Sequence, residues 1–296
     1  MEKVNTVLVA LDLEAGSDAV LARAVQLAAA HGARLVALHV IEEEPLPSTA
    51  AHMKLTQSEL RAQLERQAIA AMEAKLLENG RMARTELRVA FGSPHEVITH
   101  TAHERHADVV VIGPGKGQSL KDRILGSTAD RVVRTSTAPV LVARKPSAGP
   151  YRRMAVAIDG SPLSERALAQ ARTLAPDAAV QMVQAVDIPL PFRQALLRAG
   201  TSQAEMNRYR AMLADKARED LSAFKRHILG GKGPAVRILD GDPGPALVRF
   251  SKGSRIDLLA LGSQGRGAAM QALLGSVARR VLGEAACDVL VATRRQ

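Results

Sequence analysis

The chain repeats itself once, and this internal duplication constrains its fold more than any other feature. The spacing between copies is 149 residues at Gly92, Gly113 and Gly126 and 147 residues at Asp12, which indicates one small insertion or deletion. Two copies of one fold are therefore predicted, in domains 1–146 and 152–296, joined by the Pro- and Gly-containing linker RKPSAGPYRR (144–153). The matching segments are VNTVLVALD (4–12) with RRMAVAIDG (152–160), VAFGSPHEVI (89–98) with ILDGDPGPAL (238–247), DVVVIG (108–113) with DLLALG (257–262), and APVLVAR (138–144) with CDVLVAT (287–293).

Short apolar runs alternate with helical patterns in each copy. In the first copy, helices are predicted from Ser17, over 56–79 with a Thr56/Glu59 capping box, over 94–106 and from Ser127. Near-continuous apolar strands that alternate with helices are typical of a parallel sheet covered on both faces. The sequence thus predicts two tandem doubly wound α/β domains. The predicted strands of the first copy are TVLVAL (6–11), RLVALHVI (34–41), TELRVAF (85–91), DVVVIG (108–113) and PVLVAR (139–144).

A glycine-rich loop follows the fourth strand of each copy, GPGKGQSLKDRILGS (113–127) and GSQGRGAAMQALLGS (262–276). In a doubly wound sheet, ligands bind beyond the carboxyl ends of the strands where the strand order reverses. Asp12 and Asp159 end the first strands, so a carboxylate and a glycine loop would face each other there. Glycines let backbone N–H groups approach a phosphate, although the same pattern also describes structural turns. Neither a P-loop nor a dinucleotide-binding fingerprint is present.

The second loop resembles the nucleotide motif of the ATP-binding universal stress proteins. Gly262-x2-Gly265-x9-Gly275-Ser276 fits G-x2-G-x9-G-[ST], and the agreement extends to AVAIDGS (155–161), to DLLALG and to the closing DVLVA. The resemblance covers essentially the whole chain as a tandem pair of domains. It implies a five-stranded parallel sheet in the order 3-2-1-4-5 in each domain, with helices on both faces.

The resemblance also implies roles for residues of the second copy. Asp159 would contact the adenine, and the backbone at Val186 would line the base pocket. The loop would hold the ribose and phosphates of ATP, and Mg²⁺ would be bound through those phosphates. Arg266 is either a charge partner of the phosphates or a solvated loop residue. The loop residues implied are Gly262 and Gly265 near ribose and phosphates, and Gly275 and Ser276 near the outer phosphates.

The first copy departs from this pattern. Lys116 stands where the second glycine should be, and Asp12 is followed by Leu13-Glu14 instead of Gly-Ser. This copy would therefore bind ATP differently, bind something else, or bind nothing. Its candidate residues are Asp12, Val40, Gly113, Gly115, Lys116, Gly117, Gly126 and Ser127.

Charge and composition indicate where the protein acts and what kind of partner it binds. The net charge is +10, concentrated in the second half, which fits either an anionic partner or simply a basic surface. Aromatic residues make up 2% of the chain and tryptophan is absent, which disfavours nucleic acid. The sequence contains no apolar run long enough to span a membrane and no signal peptide at its start. With one cysteine, Cys287, it fits a reducing cytoplasm and a buried, inert thiol.

No combination of residues predicts covalent catalysis or a metal site. Four histidines lie on one predicted helix, but their spacing turns successive side chains to different sides of the helix. No cysteine or matched carboxylate completes a set of metal ligands. Any ATP hydrolysis would be slow, and the chain is expected to act as a stress-response regulator. The alternatives are a module that binds a lipid or other anion, a docking platform for a partner protein, and an adenylating enzyme, which the missing motifs disfavour. The final strands, 139–144 and 288–293, are candidates for pairing between copies or in a homodimer. The histidines are His95, His100, His103 and His106.

Overall fold

The structure is a computed structural model, and it describes residues 3–14, 17–80, 84–115, 125–144, 149–229, 233–265 and 273–293. The chain divides into two compact units, unit 1 over residues 1–150 together with the chain end from Thr293, and unit 2 over residues 151–292. Each unit contains a five-stranded parallel sheet with helices between the strands. The predicted doubly wound α/β class is therefore confirmed for both copies.

Unit 1 has the strand order β3-β2-β1-β4-β5. The order reverses between β1 and β4, which pair in parallel from Val7 opposite Val109 to Val9 opposite Val111. Such a reversal opens a crevice at the carboxyl ends of the two strands. The elements are β1 (Thr6–Leu11), α1 (Ser17–His31), β2 (Arg34–Ile41), α2 (Leu46–Met53), α3 (Gln57–Glu78), β3 (Thr85–Phe91), α4 (Pro94–Glu104), β4 (Val109–Ile112), α5 (Ser127–Thr135) and β5 (Val140–Val142).

Unit 2 repeats this topology with the order β8-β7-β6-β9-β10. Its reversal lies between β6 and β9, which pair from Met154 opposite Leu258 to Val156 opposite Ala260. The elements are β6 (Arg153–Ala157), α6 (Pro162–Leu174), β7 (Ala179–Val186), α7 (Leu190–Arg198), α8 (Gln203–Leu229), β8 (Ala235–Asp240), α9 (Pro243–Gly253), β9 (Leu258–Gly262), α10 (Ser276–Glu284) and β10 (Asp288–Ala292).

The central strands form the core of each unit. Every residue of β4 and β10 is buried, as are all residues of β9 except its last. Strands covered by helices on both faces bury every side chain, which explains their unbroken runs of valine and leucine. The carboxyl ends of these strands are thereby fixed in position.

Two short helices, α2 and α7, escaped the sequence analysis. Both begin with Leu-Pro, at Leu46 and Leu190. A proline in the first turn of a helix is well tolerated, because its missing N–H has no intrahelical partner there. The surrounding acidic and proline residues nevertheless resemble a loop, which is why the pattern did not reveal these helices.

Among the helix ends that the structure describes, four have a Schellman motif, in which the chain leaves the helix through a left-handed residue. Glycine occupies this position after α1 and α7, at Gly32 and Gly200. Lys54 and His106 occupy it after α2 and α4, with φ of 56° and 49°. The left-handed His106 also explains why α4 ends at Glu104, two residues before the end predicted for it.

The beginning of α3 is fixed as the sequence predicts. Thr56 accepts a hydrogen bond from the N–H of Glu59, and the Glu59 carboxylate accepts one from the N–H of Thr56. The Glu59 carboxylate also accepts from the Thr56 hydroxyl, and the bonds from the Thr56 backbone N–H, which contributes most, and from this hydroxyl lower the pKa of Glu59. Among the helices of the described residues, none is long and apolar enough to cross a lipid bilayer.

Candidate functional site

The candidate site of unit 2 lies at the carboxyl ends of β6 and β9. Asp159 follows β6 by two residues, and Gly262 ends β9. Because these strands are neighbours, the loop after β9 returns to the carboxylate that follows β6. The structure thus places Asp159 and the glycine loop together at the point where the strand order reverses.

Asp159 is held in one orientation by the turn that follows it. The backbone N–H and the hydroxyl of Ser161 both donate to Asp159 Oδ1, at 2.9 and 2.6 Å. Gly160 adopts φ +75°, a left-handed conformation that glycine takes without strain. Ser161 in turn caps α6 by accepting from the N–H of Ser164. With Oδ1 engaged in this way, Oδ2 lies beside the glycine loop.

Gly265 lies directly against this carboxylate. A Cβ added to Gly265 would lie 2.8 Å from Asp159 Oδ2, closer than a carbon and an oxygen can pack. The φ angle of Gly265 is not left-handed, so lack of space and not backbone conformation requires glycine here. Only a residue without a side chain fits while Asp159 keeps its orientation.

The two ends of the loop are held against each other by its other glycines. The N–H of Gly275 donates to the carbonyl of Ser263 at 2.9 Å. A Cβ at Gly262 would lie 2.8 Å from Leu163 Cβ. Helix α10 begins at Ser276, which is exposed, and no side chain caps it. The first N–H groups of such a helix can therefore donate to an anion.

Gln264 supports the loop and was not identified from the sequence. Its side chain is buried, with 8% exposed, and Nε2 donates to the carbonyl of Leu273 at 2.7 Å. This bond ties together the two described ends of the loop. Arg266, the predicted phosphate partner, lies outside the described residues.

Val186 ends β7, half-buried at the same edge of the sheet. Its carbonyl accepts a hydrogen bond from the N–H of Gly241 at 2.9 Å. In unit 1 the N–H of Gly92 donates to Ile41 at 3.0 Å. Ile41, one residue after the predicted Val40, is therefore the structural counterpart of Val186.

Unit 1 keeps the turn but changes the contacts of its loop. The N–H of Glu14 donates to Asp12 Oδ1 at 3.0 Å, and Leu13 takes the left-handed conformation with φ 59°. Asp12 is exposed, whereas Asp159 is half-buried. Gly115, with φ +87°, packs so tightly that an added Cβ would lie 2.7 Å from the Cα of Gly126.

The glycine required by close packing is therefore displaced by one residue between the two loops. Gly115 of unit 1 corresponds to Gln264 of unit 2 at the spacing of 149 residues, and Lys116 corresponds to Gly265. Gly113 precedes the unit 1 loop and Ser127 begins α5. Lys116 and Gly117 lie outside the described residues.

The helix that follows each loop carries a different charge in its first turns. Asp130 of unit 1 corresponds to Arg279 of unit 2, three residues after the serine that begins the helix. Asp130 pairs with Arg134 at 2.6 Å, whereas Arg279 is exposed and has no ion pair within the described residues. Unit 2 thus offers a more positive helix start, which favours an anion there.

The other candidate groups do not assemble into a second site. Within the ranges that the structure describes, no three His, Cys, Asp or Glu side chains are grouped so that they could hold a metal ion. His95 Nδ1 lies 2.9 Å from the hydroxyl of Ser93, in the first turn of its own helix. Cys287 is buried, with 2% exposed.

Comparison with known proteins identifies the relatives of this chain. The model of the universal stress protein family matches residues 3–144 and again 150–293. A universal stress protein of Mycobacterium bovis is 28% identical, over 98% of this chain and 97% of its own length.

Solved structures have the same fold. A universal stress protein of Archaeoglobus fulgidus covers 100% of both chains at 20% identity, with a TM-score of 0.64. Another, solved in complex with cAMP, covers 49% of this chain and 100% of its own length at 25% identity, with a TM-score of 0.35. The chain belongs to the universal stress protein family, and it contains two copies of the family's domain.

Proposed function

We propose that the chain binds ATP, mainly in unit 2, and acts in the cytoplasm as a stress-response regulator. The observation that carries the proposal is the fit of Gly265 against the Asp159 carboxylate. Two strand ends that are distant in sequence form a crevice in which a side chain would clash. Glycines at such a place let backbone N–H groups come close to a bound phosphate.

The residues of this crevice fit the two ends of a nucleotide. Ser161 holds the Asp159 carboxylate in one orientation, and a carboxylate of fixed orientation can accept hydrogen bonds from the amino and hydroxyl groups of a nucleoside. The start of α10, with Ser276 and the nearby Arg279, offers N–H donors and positive charge to the phosphates. Mg²⁺ would be held through those phosphates.

Unit 1 is proposed to bind ATP weakly or not at all. Asp130 places a carboxylate in the first turn of α5, where a phosphate would be repelled. Ile41 and Phe91, which end β2 and β3, pack against an apolar cluster that contains Leu46 and Leu60 of α2 and α3. The carboxyl end of this half of the sheet is thus filled by side chains of the unit itself.

Hydrolysis is expected to be slow if it takes place at all. Within the described residues, no three His, Cys, Asp or Glu side chains are grouped to hold a metal ion that would activate an attacking water. The remaining contribution is positioning of the phosphates by backbone N–H groups. Such a site suits a molecule that reports nucleotide binding. Homodimerisation through the final strands stays a prediction.

Calorimetric titration of ATP and Mg²⁺ into nucleotide-stripped protein tests the proposal. We expect one site, which Gly265→Lys abolishes and Ser276→Ala weakens. The matched control is Gly253→Lys, because Gly253 is exposed and an added Cβ there meets nothing within 4 Å. Lys116→Gly tests whether unit 1 gains a site.

Three outcomes would contradict the proposal. Failure of the unmodified chain to bind ATP would refute it, and a copurifying lipid or other anion would then favour the alternative ligand. Unchanged binding by a folded Gly265→Lys variant would place the nucleotide elsewhere. Two equal sites in the unmodified chain would refute the assignment of the main site to unit 2.

A further inference from the structure

The helix α7 of unit 2 has no buried residue, whereas α2, at the same place in the topology of unit 1, buries Leu46 and Ala50. In unit 1, Leu46 begins α2 with 5% of its surface exposed and packs with Ala50 and Leu60. The corresponding Leu190 begins α7 with 54% exposed. The same Leu-Pro start thus packs inward in one copy and lies open in the other.

Exposed apolar side chains continue from α7 to the start of α8. Phe192 of α7 contacts Tyr209 of α8, with ring centroids 5.9 Å apart. Met212 lies three residues after Tyr209, which places both on one side of α8. We call the exposed part of residues 190–213 the α7 surface. Its large exposed apolar residues are Leu190, Phe192, Leu197 and Met212. Leu190 and Leu197, seven residues apart, share one face of α7, and exposed apolar residues on one face of a helix mark an interaction site.

The charge of the α7 surface indicates the chemistry of its partner. Residues 190–213 contain four arginines, one glutamate, and neither lysine nor aspartate. Glu205 is engaged by Ser202 in the capping box that begins α8. Within the described residues, none of the four arginines has a carboxylate partner. They are Arg193, Arg198, Arg208 and Arg210.

We propose that the α7 surface docks an acidic amphipathic segment of a partner protein. Interfaces between proteins are enriched in aromatic residues, methionine and arginine and depleted in lysine, aspartate and glutamate, which is the composition found here. Unpaired arginines require carboxylates opposite them, and the exposed leucines require apolar side chains. A second copy of the chain is a poor occupant, since a symmetric contact would bring arginine against arginine.

A lipid surface fits less well than a protein segment. Membrane-binding helices use lysine as readily as arginine, because each supplies charge to lipid headgroups. The α7 surface uses arginine alone, the residue that forms paired hydrogen bonds with carboxylates. At nine residues, α7 is also short for an interfacial helix. The partner inferred is therefore a protein segment.

Selection from a random peptide library displayed on phage, with the whole chain as bait, tests this proposal. Peptides of about 16 residues are long enough for four helical turns. We expect the enriched peptides to be acidic, with apolar residues three and four positions apart. A synthetic peptide of the enriched sequence should bind Leu190→Asn/Leu197→Asn or Arg198→Glu/Arg208→Glu about tenfold or more weakly than the unmodified chain.

The control variant is Met53→Asn in α2, which changes an equally exposed apolar residue of unit 1 and should leave peptide binding unchanged. The replaced apolar side chains, Met53, Leu190 and Leu197, are 46–54% exposed, and Arg198 and Arg208 are exposed as well, so the variants should keep their helical content.

Three results would overturn the proposal: no enrichment, enrichment of peptides without net negative charge, and equal binding to both α7 variants. Binding of the chain to phosphatidylglycerol-containing vesicles that is lost in the same variants, in place of peptide binding, would assign the surface to lipid.

Discussion

We expect that replacing Gly265 by alanine destabilises unit 2. The cause is the contact that the added Cβ would make with the Asp159 carboxylate. At a glycine whose backbone angles suit alanine, this change usually stabilises a protein by about 0.4–1 kcal/mol, because it restricts the unfolded chain. The φ of Gly265 is not left-handed, so the backbone conformation does not by itself disfavour alanine there. The new Cβ, however, would lie 2.8 Å from Asp159 Oδ2, so the carboxylate has to move.

The magnitude follows from the bonds that hold the carboxylate. Moving Asp159 strains or breaks two hydrogen bonds from Ser161, and hydrogen bonds to a charged group contribute about 1.5–3 kcal/mol each. Partial loss of this pair outweighs the gain from alanine, so we expect Gly265→Ala to lower the free energy of unfolding by about 2 kcal/mol. With Asp159→Ala already present, Gly265→Ala should instead stabilise by about 0.5 kcal/mol.

Guanidinium unfolding of the four variants of this cycle gives the coupling between the two sites. Far-UV circular dichroism is the appropriate probe because the chain has no tryptophan, and amide exchange of β6 assigns the transition to unit 2. Gly253→Ala is the control and should stabilise in either background, since its added Cβ meets nothing. If Gly265→Ala stabilised the chain with Asp159 intact, the reasoning about the crevice would be refuted.

Further predictions concern the helix ends and the loop of unit 1. His106→Gly and Lys54→Gly should each stabilise unit 1 by about 1 kcal/mol, because each removes the side chain of a residue in the left-handed conformation. His106→Ala keeps a Cβ in that conformation and should not stabilise unit 1. Equal effects of His106→Gly and His106→Ala on thermal unfolding would show that the strain is absent. Hydrogen bonds from Thr56 and Ser202 lower the pKa values of Glu59 and Glu205, respectively. The two ionised carboxylates therefore stabilise the fold at a pH above their pKa in the unfolded chain, and this stabilisation is lost as the pH falls through their lower pKa in the folded chain. NMR titration of the two carboxyl groups should give midpoints below those of other exposed glutamates, and ordinary midpoints would contradict the capping boxes. Gly115→Ala should destabilise unit 1 by about 2 kcal/mol or more, because its Cβ meets the backbone of Gly126; unchanged guanidinium unfolding would contradict this packing.

The sequence predicted what depends on patterns along the chain. The strands were recognisable because burial on both faces makes them continuously apolar, and α3 because Thr56 and Glu59 form a capping box. The placement of Asp159 beside the loop followed from strand order. Features that depend on contacts between distant residues had no such pattern.

Those features include the structural role of Gln264 and the counterpart of Val186. Nothing near Gln264 in the sequence indicates that its amide meets Leu273, since the bond joins residues nine positions apart. The shift from Val40 to Ile41 follows from strand pairing, because Ile41 lies opposite Phe91 as Val186 lies opposite Asp240, and this register is not visible along the chain. The open face of α7 was hidden for a similar reason, because only packing distinguishes it from α2.

The one-residue displacement of the tight glycine has a consequence for how the two copies could have diverged. At positions 264 and 265, unit 2 has glutamine followed by the tightly packed glycine. At the corresponding positions 115 and 116, unit 1 has the tightly packed glycine followed by lysine. Single substitutions connect the two loops without a clash only through an intermediate that has glycine at both positions. In unit 2 this intermediate lacks the hydrogen bond from Gln264 to Leu273. The order of substitutions by which the two copies could diverge is therefore restricted by packing.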